Sequence, residues 1–108
     1  MPSPKSLAKV NKPKPLLLIR RVVGGSMSPK LLPGSVVIAS GYFRSIKAGE
    51  VCIFRQDNKE KIKRVERIAK GHLFFIGDNL SSSSDSRHFG WIKQDTVIAK
   101  VIWPRVHN

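Results

Sequence analysis

From Leu16 onward the apolar residues of this chain come in short runs rich in Val, Ile, Leu and Phe. Each run is cut off by Gly, Pro or a polar turn, and no long helical segment lies among them. Short punctuated runs of this kind build strands rather than helices, so the pattern predicts an all-β domain. Strands are expected over residues 16–23, 35–40, 50–55, 61–68, 72–76 and 99–103. Short helical turns are expected over 27–32, where Pro29 is tolerated near the start, and over 95–97. Pro33-Gly34 and Lys70-Gly71 read as turns, and Asp57-Asn58-Lys59 as a hairpin. A serine-rich loop runs from Gly77 to Gly90.

The 108 residues suffice for one small domain with a modest core, expected to span residues 16–108. Residues 1–15 are rich in Pro and Lys with few large apolar side chains, which predicts a disordered basic tail. The formal net charge is +13, and Lys5, Lys9, Lys12, Lys14, Arg20 and Arg21 precede any acidic residue. Such a tail either stays solvated or makes peripheral contact with an acidic lipid or protein surface. The one cysteine, Cys52, rules out an internal disulfide and a Cys-rich metal site, and its apolar setting predicts a buried thiol. No metal site and no cofactor are expected. The run Leu16-Leu17-Leu18-Ile19 stops at Arg20-Arg21, far short of the about 20 residues a membrane span needs. No convincing secretory signal is present, and the expected location is cytoplasmic or peripheral to a membrane.

The chemistry concentrates in segments far apart in the chain. Gly24-Gly25-Ser26-Met27-Ser28-Pro29 carries a serine on a small-residue loop. Gly24 and Gly25 let a substrate backbone approach closely, and a backbone N–H in a tight loop can act as an oxyanion donor. A serine hydroxyl needs a base to take its proton. Lys63, within Ile62-Lys63-Arg64-Val65, serves as that base only if burial lowers its pKa from the ordinary value near about 10.4. On a strand, Lys61, Lys63 and Val65 share one face. His88 with Asp85 leaves a Ser-His-Asp arrangement open as an alternative. In the serine-rich loop Asp78, Asp85 and Arg87 are candidates for ion pairs, and Arg64 is a candidate partner of Asp78.

These segments, in this order, resemble the signal peptidase I family of serine endopeptidases. The matching stretches are Ser26-Met27-Ser28-Pro29, residues 49–54, Lys63-Arg64-Val65, and the run from Gly77-Asp78-Asn79 through Ser83-Ser84-Asp85-Ser86-Arg87 to Gly90. The resemblance covers roughly residues 22–104 and implies a mainly antiparallel, partly barrel-like β fold shared with LexA-type autoproteases. It implies that Ser26 is the nucleophile, with its backbone N–H as an oxyanion donor, and that Lys63 is the general base. Ser83 resembles the family serine that orients the lysine amine. Arg64 with Asp78, and Arg87 with Asp85, resemble its supporting ion pairs. The implied substrate is a protein or peptide with small residues before the cleavage site.

Three departures stand out. Gly24 occupies a position where many bacterial members carry a serine that completes the oxyanion hole. Gly34-Ser35 replaces the usual Gly-Asp, and Asn79-Leu80 replaces Asn-Arg. The compact size and Gly24 resemble a small branch that includes maturation proteases of nickel-type superoxide dismutase, which remove an N-terminal extension. Two other readings compete: a LexA-like autoprotease regulator, and a basic β module that binds nucleic acid through Phe54, Phe74 and Phe75. The Asp-Ser-Arg loop counts against the first. The strand-core setting of the phenylalanines counts against the second, so nucleic acid is not the expected partner.

Overall fold

In the computed structural model the described residues are 16–106, and the basic segment 1–15 and His107 lie outside them. The strands are β1 (Leu17–Arg21), β2 (Val36–Ser40), β3 (Val51–Gln56), β4 (Lys59–Ala69), β5 (His72–Ile76), β6 (Ile92–Lys93) and β7 (Val97–Trp103). They form one seven-stranded sheet in the order β1-β2-β7-β3-β4-β5-β6, and every neighbouring pair is antiparallel. The all-β expectation holds. β7 lies between β2 and β3 and joins the two ends of the sheet.

The residue pattern explains the layering. Along β3, Val51 and Ile53 belong to one apolar cluster, while Cys52 and Phe54 belong to a second. Alternate residues of a strand point to opposite faces, so β3 is buried on both sides. The first cluster gathers Leu18, Met27, Leu31, Val37, Ala39 and Val101, among others. The second gathers Val65, Leu73, Phe75 and Val97, and within it the rings of Phe54 and Phe75 stack 4.0 Å apart. Burying one such ring contributes roughly 1.5–3 kcal/mol. The register skips Glu66 on β4 and Ile98 and Ile102 on β7. Each extra residue is a β-bulge that bends the strand. The bulge at Ile98 lets Val97 face the second cluster while Ala99 and Val101 face the first.

The sequence-based boundaries shift in places for local reasons. β4 begins at Lys59 because Asp57 and Asn58 both take positive φ (53° and 62°), and this tight loop lets Gln56 pair directly with Lys59. β1 ends at Arg21 because the Val22 N–H donates to the Ser35 carbonyl in a loop contact. The serine-rich loop holds two short elements that periodicity does not reveal. These are a 3-10 turn at Leu80–Ser82 and the one-turn helix α1 (Ser86–Phe89). α1 is set by its cap rather than by an apolar face: the Asp85 side chain accepts from the Arg87 N–H. Among the described residues no helix is long and apolar enough to cross a membrane.

Candidate active site

Ser26 sits in the turn that follows β1. Met27 and Leu31 are fully buried and anchor this turn in the first apolar cluster. The Leu31 N–H donates to the Met27 carbonyl at 2.9 Å, closing the single helical turn expected there, and the Ser28 N–H donates to the Gly25 carbonyl at 3.1 Å. Gly24 holds a left-handed φ of +78°, with open space where a Cβ would stand, so a side chain there meets backbone strain rather than a steric wall. The turn is tied to the serine-rich loop by the Asn79 N–H, which donates to the Ser26 carbonyl at 2.7 Å.

Lys63 sits on β4 opposite Cys52 of β3, with Val65 two residues along on the same face. It is only 6% exposed. β5 pairs with β4 only from Arg64 onward, so the outer edge of residues 59–63 carries no neighbouring strand. That edge and the end of β1 form the walls of a groove of about 430 Å³ that both Ser26 and Lys63 line. Val22, Met27 and Ile62 supply apolar lining beside them. Burial lowers the Lys63 pKa from its ordinary value. The charge of Lys61 acts in the same direction, and the Asp85 carboxylate opposes it without reversing it.

Behind this pair lies a buried polar frame. Asp85 is fully buried. It accepts from the Ser83 hydroxyl at 2.8 Å, the Gly77 N–H at 2.9 Å, and Arg87 Nε and Nη2 at 2.8 and 3.0 Å. Burial alone pushes its carboxyl pKa up, but the Arg87 guanidinium and the hydrogen bonds from Gly77, Ser83 and the Arg87 N–H outweigh it. They hold the carboxyl well below the usual range. Arg64, 3% exposed, donates from Nε and Nη2 to the two Asp78 oxygens, both at 2.7 Å. Its Nη1 also donates to the carbonyls of Gly49 and Val106. One guanidinium therefore joins β4 to the loop after β5, the turn before β3 and the end of the described chain.

Ser83 is thus bonded to Asp85 and lies next to the frame, and Ser84 beside it lines the groove. The exposed ring of His88 is taken up at the start of α1, where its Nδ1 accepts from the Asp85 N–H at 3.4 Å. Among the described residues no histidine lines the groove. Among the described residues no cluster of His, Cys, Asp or Glu is arranged to hold a metal ion.

Two contributors escape sequence reasoning. A Cβ on Gly77 would collide with the Ser83 side chain and come within 2.6 Å of the Ser26 carbonyl. Gly77 is therefore where the Ser26 turn and the serine-rich loop cross. The Ser86 hydroxyl accepts from the Phe75 N–H at 2.8 Å and fastens α1 to β5. A glycine directly after an apolar strand was the available signal for the first. Ser86 is marked in the sequence by its place in the Asp-Ser-Arg motif, but nothing there reveals that its hydroxyl serves the Phe75 N–H.

Residues 62–105 match the family described as signal peptidase, peptidase S26. The chain is similar to the mitochondrial ATP-independent inner membrane protease subunit 1a of Arabidopsis thaliana. The two are 31% identical over 115 aligned positions, covering 77% of this chain and 68% of that protein. It is also similar to signal peptidase I of Bacillus caldolyticus, 42% identical over 48 residues, and of Buchnera aphidicola, 34% identical over 58 residues. Those matches cover 42% and 54% of this chain, and only 26% and 18% of the two bacterial proteins.

Proposed function

The chain belongs to the signal peptidase S26 family, and from that premise we propose that it is a serine endopeptidase working through Ser26 and Lys63. The observation that carries this reading is that Ser26 and Lys63 line one groove while burial disfavours the charged form of the lysine. In the proposed reaction neutral Lys63 Nζ takes the Ser26 hydroxyl proton as Oγ attacks the scissile carbonyl carbon. The backbone N–H of Ser26 faces the developing oxyanion, and Gly24, which has no side chain, adds no hydroxyl donor to it. The lysine ammonium then returns the proton to the departing amine, leaving an acyl-enzyme. Water, deprotonated by the same amine, hydrolyses that ester and restores both groups. Asp85, Arg87, Ser83, Asp78 and Arg64 act as positioning residues that hold the two strands and the loop in register around the pair.

The substrate in this reading is a protein or peptide whose N-terminal extension is removed after a small residue. The precursor of a nickel-type superoxide dismutase is a candidate for that substrate, with Gly24 as the residue in its favour. The basic residues of segment 1–15 supply docking to an acidic lipid or protein surface, separate from peptide cleavage.

The test is cleavage of a peptide spanning such a junction. Ser26→Ala and Lys63→Ala are each expected to lower kcat/KM by about 1,000-fold or more. The double variant should lose little beyond either single one, because the two groups act as a unit. Wild-type rates in the folded double variant overturn the proposal.

A further inference from the structure

The groove is charged at the end away from Ser26. Arg20, near the end of β1, reaches across to Glu60, near the start of β4. Its Nε donates to Oε1 at 2.7 Å and its Nη2 to Oε2 at 3.1 Å, a two-pronged grip between residues 40 apart in the chain. Lys59 lines the same end, and so does Arg21, whose Nη1 is turned to the Gly34 carbonyl at 2.7 Å. Lys61 lines the wall too, but its amine is turned toward the Gln56 side-chain oxygen at 2.6 Å and the Phe89 ring at 4.7 Å. Glu60 is the sole carboxylate among the groove-lining residues described. Arg20 and Lys59 thus line the groove beside one acid, which Arg55 Nη2 also approaches at 3.9 Å, where a peptide along the open edge of β4 would pass.

The Arg20–Glu60 pair is open to water, with side chains 40% and 26% exposed. Exposed pairs of this kind contribute only about 0–1 kcal/mol, so exchanging one carboxylate partner for another costs little. A guanidinium grips any carboxylate in the same two-pronged geometry. We propose that this end of the groove selects peptides carrying an acidic side chain, whose carboxylate takes the place of Glu60 on Arg20. Arg20 is then a specificity-determining residue, and Glu60 is its place-holder in the empty groove. The inference rests on the reading of this groove as the peptide site. It names a substrate class that the Ser26–Lys63 chemistry leaves open.

The experiment uses a set of labelled junction peptides of otherwise neutral sequence, with Glu, Gln or Lys moved along successive positions. Binding is measured by fluorescence anisotropy on the full-length Ser26→Ala chain, and kcat/KM on the wild type. The expected result is that Glu improves binding about tenfold over Gln at one position or two adjacent ones, with Lys weaker than both. Arg20→Gln removes that difference. Glu60→Gln enlarges it, because the place-holder no longer competes. Raising the salt concentration narrows it. Lys93→Gln, on β6 and outside the groove lining, leaves it intact.

Equal binding of the Glu and Gln peptides at every position overturns the inference, and so does absence of any peptide binding. A preference that is the same at all positions and survives Arg20→Gln also overturns it, since that is the general field of a chain with net charge +13. Cleavage without charge preference sinks only this inference. Position-specific, Arg20-dependent binding without wild-type cleavage sinks only the peptidase reading.

Discussion

Lys63 illustrates how little a residue's identity says without its surroundings. A lysine in a strand is ordinarily solvated and charged; here burial is the largest influence on it and lowers its pKa. If its neutral amine is the base, activity rises with pH along a limb lying below the ordinary lysine value, because deprotonation there creates the active form. The same shift acts on stability. Between the lowered value and the ordinary one the unfolded chain holds more protons than the native chain, so stability also rises with pH across that window. A kcat/KM–pH profile set beside an NMR titration of the Lys63 amine checks both. An amine titrating like free lysine in an enzyme fully active at pH 7 removes it as the base. Asp85 has the opposite sign. Its carboxyl is held well below the ordinary range, so its contribution is complete above about pH 4 and is lost as pH falls through the ordinary value toward the lowered one. Asp85→Asn is expected to cost roughly 1–3 kcal/mol at pH 7, through the buried Gly77 and Ser83 donors it serves less well. Urea unfolding at pH 7 and near pH 2 should show that deficit narrowing in acid. A deficit independent of pH contradicts the assignment.

The elements meet with almost no slack where the loop after β5 crosses the Ser26 turn. Gly77 allows that crossing, since any side chain there runs into Ser83 and the Ser26 backbone. Gly77→Ala is therefore expected to destabilise the fold by about 1–3 kcal/mol through overpacking. It should also lower kcat/KM by at least about tenfold, because displacement of a reacting group by a fraction of an ångström is enough to do so. Melting temperature and peptide cleavage check this; a variant unchanged in both overturns it. The strand runs were legible because β3, β5 and β7 are rich in β-branched and aromatic residues that alternate or cluster between turns. α1 and the 3-10 turn were not, because a single turn carries no hydrophobic period. They depend on one capping carboxylate and on Arg87, whose Nη2 donates to the Leu80 carbonyl at 2.8 Å.

The sheet as a whole depends on its last strand. Among the described residues β1 and β2 are paired with the remaining strands only through β7, which pairs with β2 on one side and β3 on the other. Removing residues 97–108 should therefore leave a chain without a cooperative fold, with the clusters around Val37 and Ile53 opened to water. Far-UV circular dichroism and amide NMR dispersion of the 1–96 chain check this, and native-like dispersion with a sharp melting transition contradicts it. Because β7 must find partners far back in the chain, loop-closure entropy precedes most of the stabilising contacts.

Local pattern was enough to specify an antiparallel β domain, every described strand but the two-residue β6, and the segments that carry a serine, a lysine and their acidic and basic companions. Those properties follow from alternation, turn chemistry and residue type within short windows, so they can be read along the chain. Strand order, the insertion of β7, the crossing at Gly77 and the Arg64 grip on Val106 depend on contacts between residues far apart in the chain, 42 positions for Arg64 and Val106, 51 for Gly77 and Ser26, and 60 to 65 for β2 with β7. The groove that Ser26 and Lys63 share, and the Arg20–Glu60 pair at its end, belong with them. No short window contains such contacts. Burial lowers the pKa of Lys63, whereas Arg87, Gly77 and Ser83 hold that of Asp85 down against burial, and both surroundings exist only once the sheet and the serine-rich loop have come together.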